Sequence, residues 1–194
     1  MKSQKMRMVV SILIVISVSV SFLLVGGAQK ASEAAKKPVM AMVTNQSGLG
    51  DQAFNDATWA GFILAQEKLG IEPKVLESRE QAQYVPNLSI LADQRSDLVV
   101  GVGFMIKDAV KEVADLYPDT NFGLVDGIVD APNVACLLFK ENEGAFLMGA
   151  IAAKMSQSCT VGFFGGMSNP FTNRFESGYS AVVKTENPEM DVLV

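Results

Sequence analysis

From Pro38 onward, short apolar runs alternate with longer amphipathic stretches. Val39–Thr44 is an apolar run bounded by polar residues, as expected of a strand covered on both faces in a parallel sheet. Asn45–Asn55 follows as a polar, glycine-containing loop. Asp56–Leu69 then places Trp59, Phe62, Ile63 and Leu69 on one helical face and ends at Gly70. The rhythm continues with a strand at Lys74–Leu76, a helix at Val85–Gln94 with Pro86 near its start, and a strand at Asp97–Val102. A helix runs from Gly103 to Tyr117, where Pro118 ends it. Phe122–Val125 is the fourth strand, with Asp126 at its tip, and Val134–Phe139 the fifth. Glu141–Gln157 is a helix. Val161–Phe164 is a sixth strand opening into Gly165-Gly166, Thr172–Lys184 is helical, and Val192–Val194 begins another strand.

Alternating strand and helix signals predict an α/β fold, a doubly wound and mainly parallel sheet with helices on both faces. Only two strands follow Phe139. Residues 38–140 are therefore expected to form one lobe, and 141–194 a hinge-side helix with an incomplete second lobe, as in a chain truncated relative to its fold; the other reading is a single compact domain with a ragged end.

The N-terminal segment follows a different pattern. Lys2, Lys5 and Arg7 precede the run Met8–Val25, which is apolar except for its serines. Gly26-Gly27-Ala28 supplies small residues. That order is the one of a secretory signal, expected over 1–28, with 29–37 as a polar tether. The apolar run also approaches the roughly 20 residues that span a bilayer, so an uncleaved anchor is the other reading. No cysteine sits near the cleavage site to carry a lipid. Either way the chain is expected outside the cytoplasm, in the periplasm or at the cell surface.

Composition narrows the chemistry. Apolar residues make up 49% and charged residues 19%, which suits a packed core rather than a disordered chain. Setting aside Lys2, Lys5 and Arg7 leaves 13 of the 16 basic residues against 21 acidic ones, a net charge of −8. Bulk charge of that sign argues against a nucleic-acid partner. There is no histidine, which removes the commonest general base and the usual zinc and iron ligands. Cys136 and Cys159 are too few for a disulfide framework; they either form one bridge or are two small buried residues.

Ligands of open α/β sheets bind beyond the carboxyl ends of the strands. The loops there, Asn45–Asn55, Gly103–Ile106, Asp126–Pro132 and Gly165–Thr172, hold Asn45, Asp51, Phe54, Asn55, Phe104, Asp126, Met167 and Asn169. Aromatic faces with a few amides and carboxylates suit a small, flat, polyhydroxylated or heteroaromatic ligand. A carboxylate accepts two hydrogen bonds from a diol or a purine N–H edge. Each residue has a second reading: Asp51 and Asn55 as turn and cap residues, Phe54 as core, Asp126 as a turn. Gly101-Val102-Gly103 lacks the third glycine of a dinucleotide fingerprint. There is no phosphate-binding loop, nucleophile elbow or metal cluster, so no cofactor, metal or catalytic residue is expected.

Several of these stretches together resemble the basic membrane protein family, the PnrA-like purine nucleoside receptors of ABC importers. The opening signature is Val43-Thr44-Asn45 with Gly50-Asp51-Gln52-Ala53-Phe54-Asn55. Val100-Gly101-Val102-Gly103-Phe104 is similar to the third-strand motif. Tyr117-Pro118-Asp119 with Phe122-Gly123-Leu124-Val125-Asp126 is similar to the fourth. The most specific stretch is Asn142-Glu143-Gly144-Ala145-Phe146-Leu147-Met148-Gly149-Ala150. It is followed by Val161 to Met167 and by Phe175-Glu176-Ser177-Gly178-Tyr179. The motifs fall in the family's order across Pro38–Val194.

The resemblance implies a type I periplasmic-binding fold, two α/β lobes closing on a ligand about a hinge. It implies a nucleoside whose base stacks on Phe54 and bonds Asn45, Asn55 and Asp126, and an ABC permease as membrane partner. Three departures stand out. The family usually has Asp at the position of Asn45 and Ser at that of Ala53, and an amide donates as well as accepts. Members are often lipoproteins, and their chains continue well past Val194. The 194-residue chain is therefore expected to bind nucleoside weakly. The other readings are a sensor presenting a ligand to a membrane receptor and a non-functional fragment of a longer binding protein. An enzyme is not expected: a calcium-assisted carboxylate mechanism finds no ligand-like spacing among Asp51, Asp56 and Asp126.

Overall fold

The computed structural model describes residues 36–194, and Pro38–Val194 forms one compact unit. The leader expected over 1–28 and the tether over 29–37, apart from Lys36 and Lys37, lie outside the described residues. Five strands form the main sheet: β1 (Val39–Val43), β2 (Glu72–Leu76), β3 (Leu98–Val102), β4 (Asn121–Val125) and β5 (Val134–Leu137). They are ordered β2-β1-β3-β4-β5 and every pairing is parallel.

Side-chain alternation divides the core between the two faces. Ala41, Val43, Val99, Phe122 and Leu124 point to one face. There they meet Tyr84, Leu88 and Leu91 of α2 (Tyr84–Asp93) and Val110, Val113 and Ala114 of α3 (Lys107–Leu116). Met42, Val100, Val102 and Val125 point to the other face, against Phe62 and Trp59 of α1 (Phe54–Leu69). Fully burying each large side chain contributes about 1.5–3 kcal/mol, so the two-sided sheet is where the stability concentrates.

One boundary differs from expectation where the capping reading of Asp51 holds. Helix α1 starts at Phe54 rather than Asp56, because Asp51 accepts from the amides of Ala53, Asn55 and Asp56 and draws that turn into the helix. A short 3-10 turn, Phe104–Ile106, separates β3 from α3. Strand β5 ends at Leu137, and Leu137, Leu138 and Phe139 are largely exposed. As the edge strand, β5 has only one neighbour to shelter it.

Beyond β5, α4 (Glu141–Met155) packs on α5 (Pro170–Glu186), and β6 (Thr160–Gly162) pairs in parallel with β7 (Asp191–Leu193). The two helices approach closely through small residues. A Cβ at Gly149 would lie 2.6 Å from the Tyr179 carbonyl oxygen, and one at Gly178 would overlap the Asn142 carbonyl. Ala153, Val183 and Met190 form this part's small core, while Phe146, Leu147, Ile151 and Met155 of α4 are exposed. Among the described residues no helix is long and apolar enough to cross a membrane. The cysteines are not two buried residues. Both are free thiols: Cys136 is half-buried, with its sulfur taking the Val129 amide at 3.3 Å, and Cys159 is exposed in a left-handed turn.

Candidate ligand-binding site

The strand order reverses direction between β1 and β3, so the loops leaving these two strands border the switch point where such sheets bind ligands. The two loops touch. Gly103 has φ 92, and a Cβ there would stand 3.2 Å from Asn45 Nδ2. Glycine is required at this position by both the backbone conformation and the contact.

The first loop is held by a network of amides and carboxylates. Asn55 Nδ2 donates to Asn45 Oδ1 (2.9 Å) and to Asp51 Oδ2 (3.0 Å), and its Oδ1 accepts from the Asn45 amide (3.2 Å). Asn45 Oδ1 also takes the Ser47 amide at 2.9 Å. Asp56 accepts from the Gly50 and Gln52 amides, and the Tyr84 hydroxyl, buried under the loop, accepts from the Gln46 amide at 3.2 Å. Burial pushes the Asp51 carboxyl up, but the hydrogen bonds from the Asn55, Ala53 and Asp56 amides and the Asn55 side chain outweigh it and hold it below its ordinary value. Asn55 is fully enclosed at 0% exposure, its side chain taken up by Asn45 and Asp51. It and Asp51 set the loop's shape.

Phe54, expected to stack on a ligand, is 43% exposed at the start of α1. It lines an apolar groove of about 420 Å³ with Ala57, Thr58, Val125 and Phe139. Phe104 stacks on Phe171 with ring centroids 6.3 Å apart and planes 24° from parallel. The Arg174 guanidinium lies 4.8 Å from the Phe171 ring centre. Met167 is exposed in the loop before α5. Asn169 caps that helix, its Oδ1 accepting from the amides of Phe171 and Thr172.

Asp126 stands apart from these groups. It leaves β4 with φ 60, a left-handed conformation that Asp tolerates better than most residues, and is 7% exposed. Its Oδ1 is buried without a hydrogen-bond partner. Glu141, at the first turn of α4, has a side chain only 5% exposed. Arg174 of α5 grips it at two points, Nη2 to Oε1 at 3.2 Å and Nε to Oε2 at 3.0 Å. The second contact is an ion-pair approach rather than an aligned hydrogen bond, since both atoms lack a well-directed partner. Burial is the largest cause raising the Asp126 carboxyl above its ordinary value. The Glu141 charge and hydrogen bonding to Glu141 raise it further, and Arg174 opposes them. Glu141, Phe171 and Arg174 escaped the sequence reading. The only signal was position: an acid opening a long helix, and an arginine one turn into the next.

This architecture is that of a periplasmic-binding α/β protein. The family model for ABC transporter substrate-binding proteins, PnrA-like, matches residues 38–194, and the chain belongs to that family. It is 34% identical over 157 residues to the ABC transporter nucleoside-binding protein BmpA of Lactococcus lactis, covering 78% of this chain and 45% of that one. It is 33% identical over 168 residues to the CD4+ T-cell-stimulating antigen of Listeria monocytogenes, covering 84% of this chain and 47% of that one. Among solved structures, an ABC transporter solute-binding protein from Aeropyrum pernix K1 superposes with a TM-score of 0.71 at 29% identity, over 80% of this chain and 46% of that one. The chain thus spans about half the length of the relatives it matches.

Proposed function

We propose that this protein is the extracytoplasmic, ligand-receiving component of an ABC importer, and that its ligand is a purine nucleoside handed to a membrane permease. One observation carries the reading: at the switch point, the loops after β1 and β3 meet at Asn45 and Gly103, flanked by Phe54, Phe104 and the uncompensated Asp126. Family membership supports the transport role, and the nucleoside named for the Lactococcus lactis relative supports the ligand class. In this reading Phe54 stacks on the base, Asn45 and Asp126 bond its polar edge or the ribose, and Phe104 and Met167 wall the cleft. Asp51 and Asn55 act one step back, by holding Asn45. The leader-like segment supplies the export route.

The test is amide NMR of the full chain titrated with guanosine, inosine and adenosine, then with cytidine and ribose. The expected result is saturable shift changes at Asn45, Phe54, Phe104 and Asp126 with purine nucleosides only. No change at these residues with any nucleoside at millimolar concentration would sink the ligand assignment.

A further inference from the structure

Among Asp126, Glu141 and Arg174, Asp126 Oδ1 is buried with no hydrogen-bond partner, while Glu141 Oε2 and Arg174 Nε, also without aligned hydrogen bonds, face each other as an ion pair at 3.0 Å. Two carboxylates and one guanidinium, all ionised, leave a net negative charge in a site where Asp126 is 7% exposed and the Glu141 side chain 5%. An uncompensated buried charge is costly, and such sites generally take up a proton instead. One proton makes the trio neutral and gives Asp126 a partner through an O–H···O bond. The Arg174 grip on Glu141 puts that proton on the Asp126 side. The charged groups acting on Asp126 among the described residues are Glu141, from the start of α4, and Arg174, from α5. Lys140 and Glu143 pair with each other at 2.7 Å on the surface.

We propose that Asp126 and Glu141 hold one proton between them alongside Arg174, that Glu141 and Arg174 are thereby positioning residues for Asp126, and that a ligand hydrogen-bond donor reaching Asp126 displaces the proton to solvent. The last step rests on the reading of Asp126 as a ligand contact. The bookkeeping is simple: a ligand N–H or O–H replaces the O–H of the carboxyl pair, and the displaced proton goes to buffer. Arg174 also lies against Phe171, which stacks on Phe104. The proton-bearing pair is therefore tied to the aromatic wall of the cleft by a continuous run of contacts.

Carboxyl-carbon NMR of the ligand-free full chain, labelled at aspartate and glutamate side chains, tests the shared proton. The Asp126 carbon is expected to titrate above the ordinary aspartate range. In Glu141→Gln its midpoint is expected to fall by about 1–3 pH units. Arg174→Lys keeps the charge but not the two-point grip, and moves the midpoint without unfolding the sheet. A wild-type Asp126 midpoint in the ordinary range, or one unmoved in Glu141→Gln, overturns the sharing. Calorimetric titration with guanosine in two buffers of different ionisation heat tests the displacement. Protons released to buffer, and affinity rising with pH by up to about tenfold per unit within the titration window, are expected. Equal heats in both buffers overturn the displacement. Absence of any nucleoside binding overturns it together with the ligand reading, while the ligand-free titration still judges the shared proton.

Discussion

Two polar clusters border the same strand ends and are built on opposite plans. In the Asn45–Asp51–Asn55 network, carboxylate and amides are answered by donors at about ordinary hydrogen-bond distances. In the Asp126–Glu141–Arg174 cluster, Asp126 Oδ1 has no hydrogen-bond partner, and Glu141 Oε2 meets Arg174 Nε only as an ion pair at 3.0 Å. Each cluster has a buried member, Asn55 in one and Asp126 with Glu141 in the other, so burial alone does not separate the two plans. Satisfaction does: a saturated network fixes one conformation, whereas an unsaturated one stores an interaction for something that arrives later.

The largest expected effect is on the saturated side. Asn55→Leu leaves the Asn45 amide without its acceptor and removes the Asn55 side-chain donor from Asn45 Oδ1 and Asp51 Oδ2, and is expected to cost about 2–4 kcal/mol by urea unfolding. Asp51→Ala removes the acceptor for the first amides of α1 and is expected to cost about 1–2 kcal/mol. Amide hydrogen exchange should then accelerate at Ala53, Asn55 and Asp56, while β3 and β4 stay protected. On the unsaturated side the sign reverses. Asp126→Asn keeps the left-handed backbone, retains the Glu141–Arg174 pair and relieves the repulsion. It is expected to raise stability at neutral pH by up to about 1 kcal/mol. A loss of several kcal/mol there would break the distinction.

The smallest effects are the pH dependences, and they too run in opposite directions. Asp51 is lowered in the fold. Its contribution is present above the unfolded-state value and is lost only as the pH falls through its depressed folded value. Asp126 is raised. Its protonated form is favoured by folding, so its contribution is full at low pH and is lost as the pH rises through its elevated folded value. The advantage of Asp126→Asn should therefore shrink on acidification, and that of wild-type Asp51 over Asp51→Ala should persist well into the acidic range. Denaturant midpoints across pH check both.

The main sheet was legible because its strands are buried on both faces and read as continuous apolar runs; β1 and β3 fall within a residue of expectation. Ends set by a single side chain were not. Asp51 and Asn169 cap α1 and α5 from sequence positions that look equally like ligand contacts. The site was half legible. Asn45, Phe104 and Asp126 stand at strand ends, where topology places chemistry. The Asp126 partners come from α4 and α5, brought to it only by packing between elements distant in sequence. No periodicity encodes that encounter.

The parallel sheet has a temporal consequence. Val39 pairs with Glu72 and Met40 with Leu98, so no strand finds its neighbour through a local hairpin. The β1–β2, β1–β3 and β3–β4 pairings each wait for at least one whole helix to be made and swung across, while β4 and β5 are joined by a loop alone. Sheets of this kind assemble slowly, because loop-closure entropy is lost before contacts are gained. A chain slow to fold remains threadable for longer, a property that suits the export proposed above.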